Sequence, residues 1–105
     1  MMRAVIAGSG SCIPPNRVTN AMLSRIMDAG DDWIRERSGV ETRYYVDEGT
    51  STSDLGAAAA AAALEAAGVD KDALDLIVFA TMTPDYFFPG SGGLLPAKLG
   101  IKGVP

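Results

Sequence analysis

Seven consecutive alanines at positions 57–63 constrain this chain more than any other stretch. Alanine gives up no side-chain entropy in a helix and has the highest intrinsic propensity for one, so the run predicts helix. With no bulk on any face, such a helix can lie very close to a sheet or to another helix. The flanks agree: Ser51, Thr52 or Ser53 suits the N-cap, Asp54 suits the positive end, and Gly68 stands where a C-cap is expected. The surrounding apolar stretch, residues 55–67, contains Gly56 and Glu65 and falls short of the ~20 residues that span a bilayer. It reads as a soluble helix, with no part in a membrane.

A second constraint is the nearly continuous apolar run of Leu74, Leu76, Ile77, Val78, Phe79 and Ala80. Burial on both faces is the usual origin of that pattern, and it belongs to the central strands of parallel sheets. Thr81 to Asp85 then form a loop at the C-terminal end of such a strand, where open α/β sheets place their ligand sites. Tyr86, Phe87 and Phe88 follow, suiting an apolar substrate channel, a subunit interface or plain core filling. Earlier, Ala4-Val5-Ile6-Ala7 predicts a buried strand ending at Gly8, and Pro14-Pro15 prevents an immediate helix. Thr19-Asn20 can cap a helix carrying Met22, Leu23, Ile26 and Met27, which Gly30 stops. Asp31 or Asp32 starts a second short helix with Trp33, Ile34 and Arg37, ended by Gly39, and residues 42–46 have strand propensity. Asp70 to Asp72 are turn material, and Leu94, Leu95, Ala97 and Leu99 make a short helix closed by Gly100, provided that Pro96 lies in its first turn. At 105 residues, 48% of them apolar, the chain has material for one compact α/β unit.

Composition removes several function classes. Nine Lys and Arg against 13 Asp and Glu give a net charge of −4 with no block of like charge, which argues against non-specific nucleic-acid binding. The single cysteine, Cys12, excludes an internal disulfide and fits a reducing cytoplasm. With no histidine, neither a Ser-His-Asp triad, a Cys-His pair nor the usual zinc ligand sets can be assembled from these residues. Gly8, Ser9, Gly10 and Ser11 interrupt the N-terminal apolar stretch before a signal-peptide core forms.

Gly8-Ser9-Gly10 after a strand invites comparison with a dinucleotide fingerprint, but Ile13 occupies the third glycine position and Pro14-Pro15 blocks the helix that would hold the phosphate. A structural turn is the reading adopted, and Cys12 reads as a small buried residue. Trp33 and Arg37, four apart on one helix face, form either a platform for a base or phosphate or a surface pair covering an apolar cluster.

The order of these pieces resembles the N-terminal region of β-ketoacyl-acyl-carrier-protein synthase III across essentially all 105 residues. The resemblance rests on Gly8-Ser9-Gly10 with Ile13-Pro14 and Thr19-Asn20, and on Asp32-Trp33-Ile34 with Arg37, Gly39-Val40 and Arg43. It rests also on Ser53-Asp54-Leu55 before the alanine helix, and on Ile77-Val78-Phe79-Ala80-Thr81 through Thr83-Pro84-Asp85 and Phe88-Pro89.

That resemblance implies a duplicated, layered α/β thiolase fold with a mixed, mostly parallel sheet covered by helices, acting as a cytoplasmic homodimer. Residues 1–105 would supply the N-terminal part of its first half. It further implies decarboxylative condensation of an acyl-CoA starter with malonyl-acyl-carrier protein in fatty acid biosynthesis, with the coenzyme A thioester as substrate and no separate cofactor or metal. The family's nucleophilic cysteine, histidine and asparagine have no counterparts among these residues, so no catalytic residue is assigned. Trp33 matches an aromatic that stacks on the adenine of coenzyme A, and Arg37 lies beside it near the nucleotide. Phe88 matches an aromatic that reaches across the dimer to shape the partner's acyl pocket, and Phe87 adds bulk there. Three departures bear on starter preference and on acyl-carrier or cofactor affinity: Gly92-Gly93-Leu94-Leu95-Pro96 replaces a more regular helix, Phe87-Phe88 makes the pocket region bulky, and Glu41 stands where a basic residue is common. Two other readings follow from the missing catalytic groups and these departures: a non-catalytic module that binds coenzyme A or forms an interface, and a thiolase-superfamily relative with another acyl substrate.

Overall fold

Residues 1–105 are all described by the computed structural model. The elements run β1 (Asn16–Thr19), α1 (Asn20–Leu23), α2 (Asp31–Ser38), β2 (Thr42–Tyr45), α3 (Thr52–Ala67), a 3-10 turn (Lys71–Ala73) and α4 (Leu94–Leu99). The expected single unit resolves into two: Ile13–Gly49, and Met1–Cys12 with Thr50–Pro105. The division follows from local pairing, because β1 and β2 close residues 13–49 onto themselves. No helix is long and apolar enough to cross a membrane.

In the smaller unit, β1 pairs antiparallel with β2 in the register Asn16 with Tyr45, Arg17 with Tyr44, Val18 with Arg43 and Thr19 with Thr42. The sequence reading missed β1, whose polar Asn16 and Arg17 give no apolar alternation. Thr19 is the N-cap of α1, its Oγ1 accepting from Met22 N–H at 3.2 Å. The expected helix through Met27 regularises for only one turn. Ser24 Oγ donates back to Ala21 O at 2.8 Å, a local bond that competes with helix continuation, and Met27 follows in irregular turns. Helix α2 forms where expected and ends at Gly39, whose φ of 71° is open to glycine at little cost. Ile34 is its one buried residue.

The larger unit is built on α3. Ser51 and Asp54 form a capping box, with Ser51 N–H donating to Asp54 Oδ2 at 2.8 Å. Gly68, at φ 64°, closes the other end. The alanine surface does permit close approach. A Cβ on Gly8 would stand 2.7 Å from Ala63 O and 2.8 Å from Ala67 N, and one on Gly10 would overlap the backbone of Ala59 and Ala63. Glycine at 8 and 10 therefore lets the chain touch the α3 backbone directly, and neither residue adopts positive φ. Helix α4 packs on α3 with Pro96 as its third residue, and Leu95 and Ile101 are buried.

The two expected central strands form no ladder. Residues 4–7 and 74–80 lie outside any sheet; apart from the local bond of Leu74 N–H to Lys71 O, Ile77 N–H donating to Pro105 O at 3.0 Å is the one backbone bond between residues 74–80 and the rest of the chain. Within residues 76–80 the side chains alternate, Ile77 and Phe79 partly covered while Leu76, Val78 and Ala80 are exposed. Burial on both faces is thus not met here, because one helical layer covers one face only. The mostly parallel sheet is likewise not formed within this chain, whose one ladder is antiparallel.

Candidate functional site

Trp33 and Arg37 lie in successive turns of α2, which puts them on one face. The Arg37 guanidinium carbon stands 5.3 Å from the centroid of the Trp33 ring, a cation–π stack. Trp33 is 53% exposed, so a large part of its surface faces solvent. The neighbouring cation on the same helix behaves differently. Arg35 is neutralised on two sides, by Asp31 at 3.5 Å and Glu41 at 3.0 Å, whereas Arg37 has no carboxylate partner. Its charge remains available to an anion approaching the indole. Glu41, one of the departures in the sequence, is the nearer of the two carboxylates that occupy Arg35.

Helix α2 is anchored by Asn20, which is only 1% exposed. Its Nδ2 donates to Asp31 Oδ1 and to Val40 O, both at 2.8 Å, and its Oδ1 accepts from Arg43 Nη2 at 2.7 Å. The main-chain N–H of Asn20 also donates to Glu41 O at 3.2 Å. Sequence reasoning treated Asn20 as a possible cap; Thr19 takes that role and frees the carboxamide for the interior. Asn20, Asp31 and Arg35 also line a shallow cleft of about 320 Å³ together with Arg17, Thr19 and Thr42.

Phe87 and Phe88 occupy the larger unit, on the loop from Asp85 to Ser91, and both project almost fully into solvent. The neck of that loop is polar and closed. Asp85 Oδ1 accepts from Ser53 N–H at 2.9 Å and Ser91 Oγ at 2.7 Å, while Oδ2 accepts from Ser53 Oγ at 2.6 Å. Asp85 N–H in turn donates to Ser91 Oγ at 2.8 Å. Lys98, from α4, reaches Asp54 Oδ1 at 2.7 Å and stands 3.7 Å from Asp85 Oδ2. Ser53 and Ser91 are buried, and no buried side-chain polar atom lacks a partner.

The electrostatics follow from these bonds. The hydroxyls of Ser53 and Ser51 hold the Asp85 carboxyl well below the usual carboxylate range. Lys98 and then Ser51 bring Asp54 from its ordinary 3.8 to about 2. Asp54 reciprocally raises the ammonium of Lys98 above its ordinary value. The sequence signalled Ser53, Asp54 and Asp85 through their motifs, but nothing marked Ser91 or Lys98 as their partners. Cys12 is half-buried, and no group of three or more His, Cys, Asp or Glu is placed to hold a metal ion.

No family model matches the chain. The β-ketoacyl-[acyl-carrier-protein] synthase III of Rhodospirillum rubrum is 52% identical over 106 aligned positions, which cover 100% of this chain and 33% of that protein. Among solved structures, 3-oxoacyl-[acyl-carrier-protein] synthase III from Aquifex aeolicus superposes with a TM-score of 0.84 at 39% identity, covering 94% of this chain and 32% of that one. The priming β-ketosynthase from the R1128 polyketide biosynthetic pathway superposes with a TM-score of 0.85 at 31% identity, over 95% of this chain and 30% of that one. The chain spans about a third of the length of the relatives it matches. Its elements adopt the thiolase-like α/β architecture of those enzymes although the full sheet is not present, and by sequence and by fold the chain belongs to the β-ketoacyl-acyl-carrier-protein synthase III family.

Proposed function

We propose that these residues form the N-terminal part of the first half of a condensing enzyme that joins an acyl-CoA starter to malonyl-acyl-carrier protein with loss of carbon dioxide. The observation that carries the reading is the Trp33–Arg37 stack, a half-exposed indole with an unpaired guanidinium beside it. An adenine ring has a flat face for the indole, and the phosphates that accompany it complement Arg37. Residues 1–105 contribute binding and shape, while the acyl-accepting cysteine and the groups that stabilise the enolate and thioester oxyanion belong to the remainder of the enzyme. Phe87 and Phe88, held out on a closed loop, suit an acyl pocket shaped at a homodimer interface. The coenzyme A thioester is a substrate, so no further cofactor is assigned, and a cytoplasmic location accords with the single cysteine.

The test is condensation by the complete protein carrying this sequence, followed as carbon dioxide released from malonyl-acyl-carrier protein in the presence of acyl-CoA. Trp33→Ala is expected to raise KM for acyl-CoA about fivefold, as aromatic stacking contributes on the order of 1 kcal/mol. An active enzyme with an unchanged KM would remove the platform. Absence of condensation with any acyl-CoA would remove the reaction.

A further inference from the structure

Helix α2 has only eight residues, too few to hold its shape or direction alone, and only Ile34 on it is buried. Apart from the exposed Arg35–Glu41 pair, its remaining side-chain anchorage comes from one neutral residue. Asn20 Nδ2 bonds Asp31, the first residue of α2, and Val40 O, which follows the C-cap Gly39. Both ends of the helix are therefore tied to the same carboxamide nitrogen, and Arg43 holds that carboxamide from its oxygen side. The chemistry fixes the orientation, since two acceptors face the NH2 group and one donor faces the oxygen.

We propose that Asn20 is a positioning residue for recognition of the nucleotide half of coenzyme A, setting the angle at which α2 presents Trp33 and Arg37. This rests on the platform reading above. Asn20 does not touch the ligand; it acts through the helix ends. An aspartate at this position would turn a carboxylate oxygen toward Asp31 and Val40 O, both acceptors, and would push the helix ends away. Serine is too short to span them.

The consequence is selective. Displacement of the platform weakens ligands that carry the nucleotide and spares those that lack it, whereas a merely structural role affects both. In the complete enzyme, dissociation constants are measured for coenzyme A and for pantetheine, with thermal unfolding recorded in parallel. Asn20→Ser is expected to reduce the preference for coenzyme A over pantetheine about threefold to fivefold, approaching the loss expected when the Trp33 stack itself is removed. The pair Asn20→Asp with Asp31→Asn, which exchanges acceptor and donor across the 2.8 Å contact, is expected to recover part of that preference relative to Asn20→Asp alone. If Asn20→Ser does not fold, this exchanged pair is read against Asn20→Asp in the same way. Equal losses for the two ligands, or an unchanged preference, would overturn the proposal. Trp33→Ala separates the two levels. If it leaves the preference intact, the platform reading itself fails; if it abolishes the preference while the Asn20 variants do not, only the role of Asn20 fails.

Discussion

Asn20 and Asp85 do the same structural job in the two units with different chemistry. Each side chain is nearly enclosed, each gathers bonds from segments distant in sequence, and each ties down a segment that carries an exposed aromatic residue. Asn20 is neutral and matches two acceptors and one donor. Asp85 is charged and meets only donors, from Ser53, Ser91 and, at longer range, Lys98. The difference teaches what each region tolerates. A carboxamide hub holds its geometry across pH but depends on which atom faces which partner; a carboxylate hub accepts any donor but requires its charge.

Placing an amide at position 85 is the largest test of that contrast. In Asp85→Asn, one carboxylate oxygen becomes an NH2 among groups that donate, leaving at least one of Ser53 N–H, Ser53 Oγ–H or Ser91 Oγ–H without an acceptor. The variant is expected to lower the unfolding temperature more than any single substitution of Asn20, Asp54 or Arg35, with faster amide exchange across residues 86–90. An unchanged melt would show that the loop is held by something else.

The reverse replacement, Asn20→Asp, is expected to cost about 1–3 kcal/mol at neutral pH, the range for a buried polar group facing the wrong partner. Its loss should shrink as the solution is acidified and the new carboxyl acquires a proton to donate. Denaturant unfolding at two pH values checks both the size and the sign.

The unmodified hubs should also separate in an acid titration. Asp54 and Asp85 are held below their ordinary values in the folded chain. Their contribution is therefore complete above the ordinary carboxylate range and is lost as pH falls, through about 2 for Asp54 and lower for Asp85. Lys98 is raised, so its contribution is full below its ordinary value and fades as pH rises past the folded one. Asp54→Asn should flatten the acid limb of the melting curve relative to the parent; Asn20→Ser should shift the curve without changing its slope.

The smallest effect belongs to Arg35. Its pairs with Asp31 and Glu41 are exposed, and such pairs contribute at most about 1 kcal/mol. Arg35→Gln should leave the melt within about a degree or two of the parent, and binding of coenzyme A should weaken slightly at most, since the Asp31 and Glu41 carboxylates lose their counter-ion while Arg37 keeps its charge. A large loss would mean that α2 depends on surface charge rather than on Asn20.

Local rules carried the helices further than the strands. The alanine run with Ser51, Asp54 and Gly68 specified α3 and both its caps, because those signals act within a few residues. Residues 74–80 read as a central strand, but a ladder requires a neighbouring strand that the local pattern cannot supply, and here none is paired. The glycines at 8 and 10 read as a turn; their small size in fact serves contact with α3, a relation across about fifty positions. Trp33 and Arg37 were legible because helical spacing alone puts them together. The hubs were not: Asn20 meets Val40 and Arg43, and Asp85 meets Ser53, only after the chain has folded.

Trp33, the only tryptophan among these residues, can serve as its own reporter in the most direct test of the nucleotide platform. In the complete protein, the fluorescence difference between the parent and Trp33→Phe is followed during titration with coenzyme A and, separately, with pantetheine. Coenzyme A is expected to quench the Trp33 signal saturably, and pantetheine is expected to leave it unchanged. Equal responses to the two ligands, or no response to saturating coenzyme A, would contradict the assignment of α2 as the nucleotide platform.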